Sequence, residues 1–149
     1  YFVASNSSEP KILEKDLKDN GIDYLTRYKF QKYPLGGGEY ESELNWLGKI
    51  NKLGQLIITR NCVFEPSDTS KMDWVDSCLA DIGNAFYWNK PAVVSTHRVN
   101  YISGIVENNG ALGLIELDKL LKQIKKTWPD VEFITSEELG SIIKESKNA

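Results

Sequence analysis

Apolar residues recur along this chain at two spacings, and the spacings predict its elements. Trp74, Val75, Cys78, Leu79, Ile82, Ala85 and Phe86 fall three and four apart, the repeat of an amphipathic helix. Leu114, Leu117, Leu120, Leu121, Ile124 and Trp128 do the same, and Pro129 closes that helix. Tyr40, Leu44, Leu47, Ile50 and Leu53 predict a further helix, stopped by Gly54. Ser8-Glu9-Pro10 reads as a helix start with Ser8 as cap, Ile12, Leu13 and Leu17 as the stripe and Gly21 as the stop. Thr135-Ser136-Glu137-Glu138 fits a capping box that opens a last helix carrying Leu139, Ile142 and Ile143.

Short β-prone runs lie between these helices: Tyr1–Ala4, Ile22–Tyr28, Leu56–Thr59, Ala92–Ser95 and Val131–Thr135. Leu56–Ile58 and Ala92–Val94 are apolar on both faces, as covered parallel strands are. The predicted order is an alternation of strand and helix, so the fold class is α/β, built of parallel βα units in one domain, residues 1–149. Five such units are too few for a closed eightfold barrel. Two architectures stay open: a small open sheet, and the C-terminal part of a (β/α) barrel, an incomplete half-barrel. The second leaves strand edges at Tyr1–Ala4 and Val131–Thr135, through which the chain could form homo-oligomers.

The chain has 149 residues, enough for a sizeable core, and a net charge of −3 with a pI near 5.3. That balance argues against a nucleic-acid surface built on bulk charge, and no apolar run has the length of a membrane span. Cys62 and Cys78 match no zinc spacing and read as packed free thiols rather than a disulfide. The chain begins with Tyr1 and has no signal-peptide pattern, so a processed product and a piece of a longer protein both fit. Asn6-Ser7-Ser8 matches a glycosylation sequon.

Candidate chemistry concentrates where strands run out, because parallel sheets and barrels place their sites past the carboxyl ends of strands. The only histidine, His97, follows Ala92–Ser95 within Thr96-His97-Arg98-Val99-Asn100-Tyr101. Imidazole exchanges protons near neutral pH and suits general acid or base work. Arg98 and Asn100 can hold hydroxyls or a carboxylate, and Tyr101 is the aromatic expected beside a ligand. Arg60-Asn61 follows Leu56–Thr59 and can grip a polyhydroxylated ligand or an anion; Glu65 can act as a base or a metal ligand. The plain structural alternative is an Arg60–Glu65 ion pair and a buried, satisfied His97. Trp74 and Trp128 sit on helical stripes and read as core, and packing is also expected of Trp88. Gly36-Gly37-Gly38 lacks the Lys-Ser/Thr of a phosphate loop and reads as a lid or turn.

The segments Arg60-Asn61-Cys62-Val63-Phe64-Glu65-Pro66-Ser67, Lys90–Tyr101, Trp128–Phe133 and Thr135–Leu139 give the chain a resemblance to a known family. Leu56–Leu139 resembles the C-terminal half of polysaccharide-deacetylase-like proteins, in particular the divergent bacterial WbmS-like group. The resemblance implies a distorted (β/α) barrel and metal-dependent removal of N- or O-acetyl groups from saccharides. It implies a divalent metal such as zinc, and an acid role for the histidine of Val94-Ser95-Thr96-His97. The family's Asp-Asp and His-x-x-x-His metal motifs have no match here, and Arg60-Asn61 stands where the family often has aspartate.

The expectation is a carbohydrate-active, deacetylase-like protein with catalytic His97 and Glu65. Arg60, Asn61, Arg98, Asn100 and Tyr101 would bind substrate, and no metal ligands are assigned. The expected partner is a saccharide or other small molecule, with no nucleic acid and no membrane, in a bacterial cytoplasm or periplasm. The alternative is a saccharide-binding module without catalysis.

Overall fold

Leu56, Ile57 and Ile58 are buried in succession, so both faces of their strand are covered, as their composition requires. The computed structural model describes residues 1–4, 8–68, 72–104 and 107–147; Asn6 and Ser7 of the sequon lie outside them. The chain divides into two compact units, Tyr1–Arg60 with Ile134–Ala149, and Asn61–Phe133.

The first unit holds β1 (Phe2–Val3), α1 (Leu13–Asp19), β2 (Tyr24–Arg27), β3 (Phe30–Gly36), β4 (Glu39–Leu44), β5 (Leu56–Thr59) and α4 (Ser136–Ser146). Strands β1, β2 and β5 form a parallel three-stranded sheet in that order, with Leu25 opposite Ile57. Helix α1 is the crossover between β1 and β2, a βα unit as expected. Its start is not. The helix begins at Leu13 without a side-chain cap, because Pro10, Lys11 and Ile12 first accept from Leu13, Glu14 and Lys15 in tight three-residue turns. Ser8 is therefore not the cap. The stop is as read: Gly21 takes φ +77°, and Gly21 and Ile22 donate back to Lys18 and Leu17.

The helix expected over Tyr40–Leu53 is absent. In its place stand β4 and a set of turns. Gly37 and Gly38 take φ +59° and +85°, the left-handed pair that closes a two-residue hairpin, and β3 and β4 pair antiparallel on either side. Tyr40, Leu44 and Ile50 point to solvent, so their helical spacing serves no buried face. Gly54 ends a turn from Asn51, whose side chain caps the Leu53 and Gln55 amides. Helix α4 opens on the expected capping box. Thr135 accepts from the Glu138 amide, and Glu138 accepts from the Thr135 amide at 2.7 Å. The helix lies on β5, with Gly140 against the Tyr24 ring.

The second unit holds β6 (Cys62–Val63), α2 (Trp74–Tyr87), β7 (Val94–Ser95), a 3-10 turn (Arg98–Tyr101) and α3 (Asn109–Thr127). Helices α2 and α3 form where periodicity placed them, and Asp73 caps α2 through the Val75 and Asp76 amides. Their core is Cys62, Phe64, Val75, Cys78, Ile82, Leu120 and Ile124, with Trp74 and Trp128 packed on it as expected. Both cysteines are buried free thiols. Strand β6 has no counterpart among the expected elements; it is two residues long and exists through its parallel pairing with β7. Val131–Thr135 is not a strand. Val131 packs on the α2–α3 core instead, and no strand pairs with the segment among the described residues.

The architecture is thus mixed α/β with parallel strands, as the class was read. Its parallel strands form a three-stranded sheet in one unit and a β6–β7 pair in the other, not one run of five. Strand β7 pairs with β6.

Candidate functional site

The β6–β7 pair builds the site. Cys62 lies opposite Val94 and Val63 opposite Ser95, and the Phe64 amide donates to the Ser95 carbonyl at 2.9 Å. Because the strands are parallel, the segments leaving their carboxyl ends emerge together. After β6 come buried Phe64 and then Glu65, Pro66 and Ser67. After β7 come Thr96, His97 and the 3-10 turn.

Glu65 and His97 meet there. Glu65 Oε1 lies 2.7 Å from His97 Nδ1. The other carboxylate oxygen, Oε2, accepts from Asn100 Nδ2 at 2.7 Å. Asn100 is 0% exposed and is the hub. Its Nδ2 also reaches the His97 carbonyl at 2.8 Å, and its Oδ1 accepts from the Ser67 amide (3.0 Å) and hydroxyl (2.6 Å). Helix α3 backs the turn: Gly113 passes so close that a Cβ there would collide with the Asn100 carbonyl. Thr96 and Tyr101 join hydroxyls at 2.8 Å. Burial raises the Tyr101 phenol above its ordinary value, and the Thr96 bond opposes that.

The result is a graded arrangement. The Glu65 side chain is 17% exposed and the His97 side chain 61%. A carboxylate held on Nδ1 orients the ring and places the tautomeric proton on that nitrogen. Nε2 is then an acceptor, with no partner among the described residues. This is the logic of a carboxylate–histidine pair in acid–base catalysis.

Of the residues expected on this rim, His97, Glu65, Asn100 and Tyr101 come together, although Asn100 is buried and supports Glu65 rather than facing solvent. Arg98 opens the 3-10 turn, exposed and without a side-chain partner among the described residues. Asn61 is not on the rim. It enters β6 at the opposite end, where its amide spans the Pro91 carbonyl and the Val93 amide at 3.0 and 2.7 Å. Arg60 follows β5 in the first unit, with its guanidinium 5.5 Å from the Tyr28 ring centre. Within its unit Glu65 is held by His97 and Asn100, and His97 is exposed, so the plain structural alternative fails on its histidine. Ser67 and Thr96 join the cluster with no site role expected of them; they lie near Glu65 and His97 in the chain, within the segments that carry the resemblance.

The divalent metal implied by the resemblance finds no fit in these residues. Among the described residues no three His, Cys, Asp or Glu side chains are grouped to hold one. No helix among them is long and apolar enough to cross a membrane. No protein-family profile, no curated protein and no solved structure matches this chain.

Proposed function

We propose that Glu65 and His97 form the acid–base pair of a hydrolytic site that removes acetyl groups from saccharides. On this reading the chain is the C-terminal part of a (β/α) barrel of the polysaccharide-deacetylase type. The observation that carries the proposal is the 2.7 Å contact between Glu65 Oε1 and Nδ1 of an exposed imidazole, with the second carboxylate oxygen anchored by buried Asn100. The resemblance at Val94-Ser95-Thr96-His97 supports the same residue.

The chemistry assigned to the chain is proton transfer. Neutral His97 accepts at Nε2 the proton that water gives up as its oxygen bonds to the acetyl carbon, and the protonated ring then returns that proton to the leaving amine nitrogen or alkoxide oxygen as its bond to that carbon breaks and acetate departs. Glu65 stabilises the imidazolium and keeps the ring from turning. Arg98 follows His97 in the 3-10 turn and Tyr101 holds the Thr96 hydroxyl, and on this reading the saccharide lies beside them.

The test is acetate release from an N-acetylglucosamine tetrasaccharide by the complete protein. His97→Gln is expected to lower kcat by about 10²–10⁴-fold with little change in saccharide affinity. An unchanged kcat removes His97 from the mechanism. Saccharide binding by the wild type without acetate release replaces hydrolysis by binding alone.

A further inference from the structure

Helix α2 ends in a way that presents two aromatic rings to solvent. Asn89 takes φ +51°, a left-handed conformation usually left to glycine. Its amide donates to Phe86 O and that of Lys90 to Ala85 O, each at 2.9 Å, the paired bonds that stop a helix abruptly. Phe86 turns inward, edge-on to Trp128 with ring centres 5.1 Å apart. Tyr87 and Trp88 turn outward, 77% and 70% exposed, and stand edge-to-face at 5.2 Å. The packing expected of Trp88 is therefore not what it does.

Trp88 borders a cleft of about 440 Å³ with Asn61, Asp81, Asn84, Ala85 and Lys90. Two of these are fixed. Asn61 is held by the backbone of Pro91 and Val93, and Asp81 accepts from the Val63 amide at 3.2 Å. Two are uncommitted: the Asn84 amide and the Lys90 ammonium have no side-chain partner among the described residues. The cleft thus offers an aromatic plate, a rigid polar floor and two adaptable polar arms. Asp81 and Lys90 cancel in charge, which disfavours an ionic ligand. A ring with one apolar C–H face and equatorial hydroxyls matches this surface: the face lies on the indole, and the hydroxyls meet amides and the carboxylate.

We propose that this cleft is a second saccharide-binding subsite, taking a neutral pyranose unit. Asn61 and Lys90 place it at the amino end of the β6–β7 pair, and Glu65 and His97 stand past the carboxyl end. The subsite therefore holds a sugar without touching the acid–base pair. Its argument uses no residue of that pair.

The test is a two-dimensional ¹H–¹⁵N titration of the complete chain with the tetrasaccharide of N-acetylglucosamine, and separately with that of galacturonic acid. The Trp88 indole N–H and the Asn84 side-chain amide are expected to shift and saturate with the neutral probe. Trp88→Ala, at an exposed position that leaves the fold intact by circular dichroism, is expected to weaken this binding by about tenfold or more. His97→Gln is expected to leave it unchanged. No shift at the Trp88 indole, equal affinity in Trp88→Ala, tighter binding of the galacturonate probe, or loss of binding in His97→Gln would each overturn the proposal. Binding at Trp88 without acetate release leaves the subsite standing and removes only the hydrolytic reading.

Discussion

Replacing Asn100 with alanine should damage stability and the Glu65–His97 geometry together. Asn100 is fully buried, and its side chain makes five hydrogen bonds: two from Ser67, and one each to Glu65, Thr96 and the His97 carbonyl. The bond to ionised Glu65 is worth about 1.5–3 kcal/mol, and each neutral bond about 0.5–1.5 kcal/mol. The 3.3 Å contact to Thr96 adds little. Some of the freed groups lie near solvent and regain water, which offsets part of the loss. The expected net cost is about 3 kcal/mol, measured as a shift of the urea midpoint at pH 7 with an unchanged slope. Ser67→Ala, which removes one bond of the set, should cost about 1 kcal/mol. A second readout follows from the hub's position. With Oε2 of Glu65 released, the carboxylate no longer holds one rotamer and the His97 ring loses its fixed orientation, so under the proposed hydrolytic reading kcat should fall even at urea-free conditions where the fold is intact. A cost for Asn100→Ala below about 0.5 kcal/mol would refute the reasoning, because it would mean that the bonds are not maintained in solution.

Gly113→Ala should be as harmful, by about 2–3 kcal/mol in the same assay, because its Cβ meets backbone of the 3-10 turn rather than a yielding side chain. A neutral result would mean that α3 does not press on the turn. Burial pushes the Cys62 thiol up to about 12, aided by Cys78 and Asp81, and burial pushes Cys78 up to about 11. Neither should react with a disulfide reagent at pH 8 in native protein, and both should react in denaturant; fast native labelling would contradict their burial. Burial raises the Glu43 carboxyl, but the Lys49 and Lys11 ammonium groups outweigh it and hold the group below its ordinary value. Its folded state therefore binds fewer protons than the unfolded chain. The stability it contributes is present above the ordinary carboxylate range near pH 4.5 and disappears as the pH falls through the lowered value. Glu43→Gln should be less stable than wild type at pH 7, with the gap closing toward pH 3; a constant gap would assign the loss to packing.

The elements that were legible in the residue pattern are those that local forces settle. Helices α2 and α3 follow from apolar repeats that each bury one face, and α4 follows from a capping box contained within four residues. The misread segment shows the limit. Tyr40, Leu44, Leu47, Ile50 and Leu53 have helical spacing, yet two glycines able to turn a chain in two residues offered β4 a partner strand, and pairing prevailed over periodicity. Strand β6 was not legible because two residues carry no period; only its neighbour β7 makes it a strand. Val131–Thr135 erred in the other direction, since β-prone residues without a partner do not make a strand.

The candidate site divides along the same line. Residue chemistry was enough to raise His97, Glu65, Asn100 and Tyr101 as candidates, because their chemistry resides in the side chains themselves. It could not show that Glu65 belongs to His97, 32 residues away, or that Asn61 faces the other end of the strands. Those facts depend on which strands pair and in which register, and pairing is a long-range choice. Parallel pairing of β6 with β7 brings both carboxyl ends to one place, and burial of Asn100 then converts two separate loops into one hydrogen-bonded unit. The residues supplied the functional groups and their local elements; the tertiary pairing decided which groups meet, because a hydrogen bond of 2.7 Å requires a proximity that no spacing along the chain encodes.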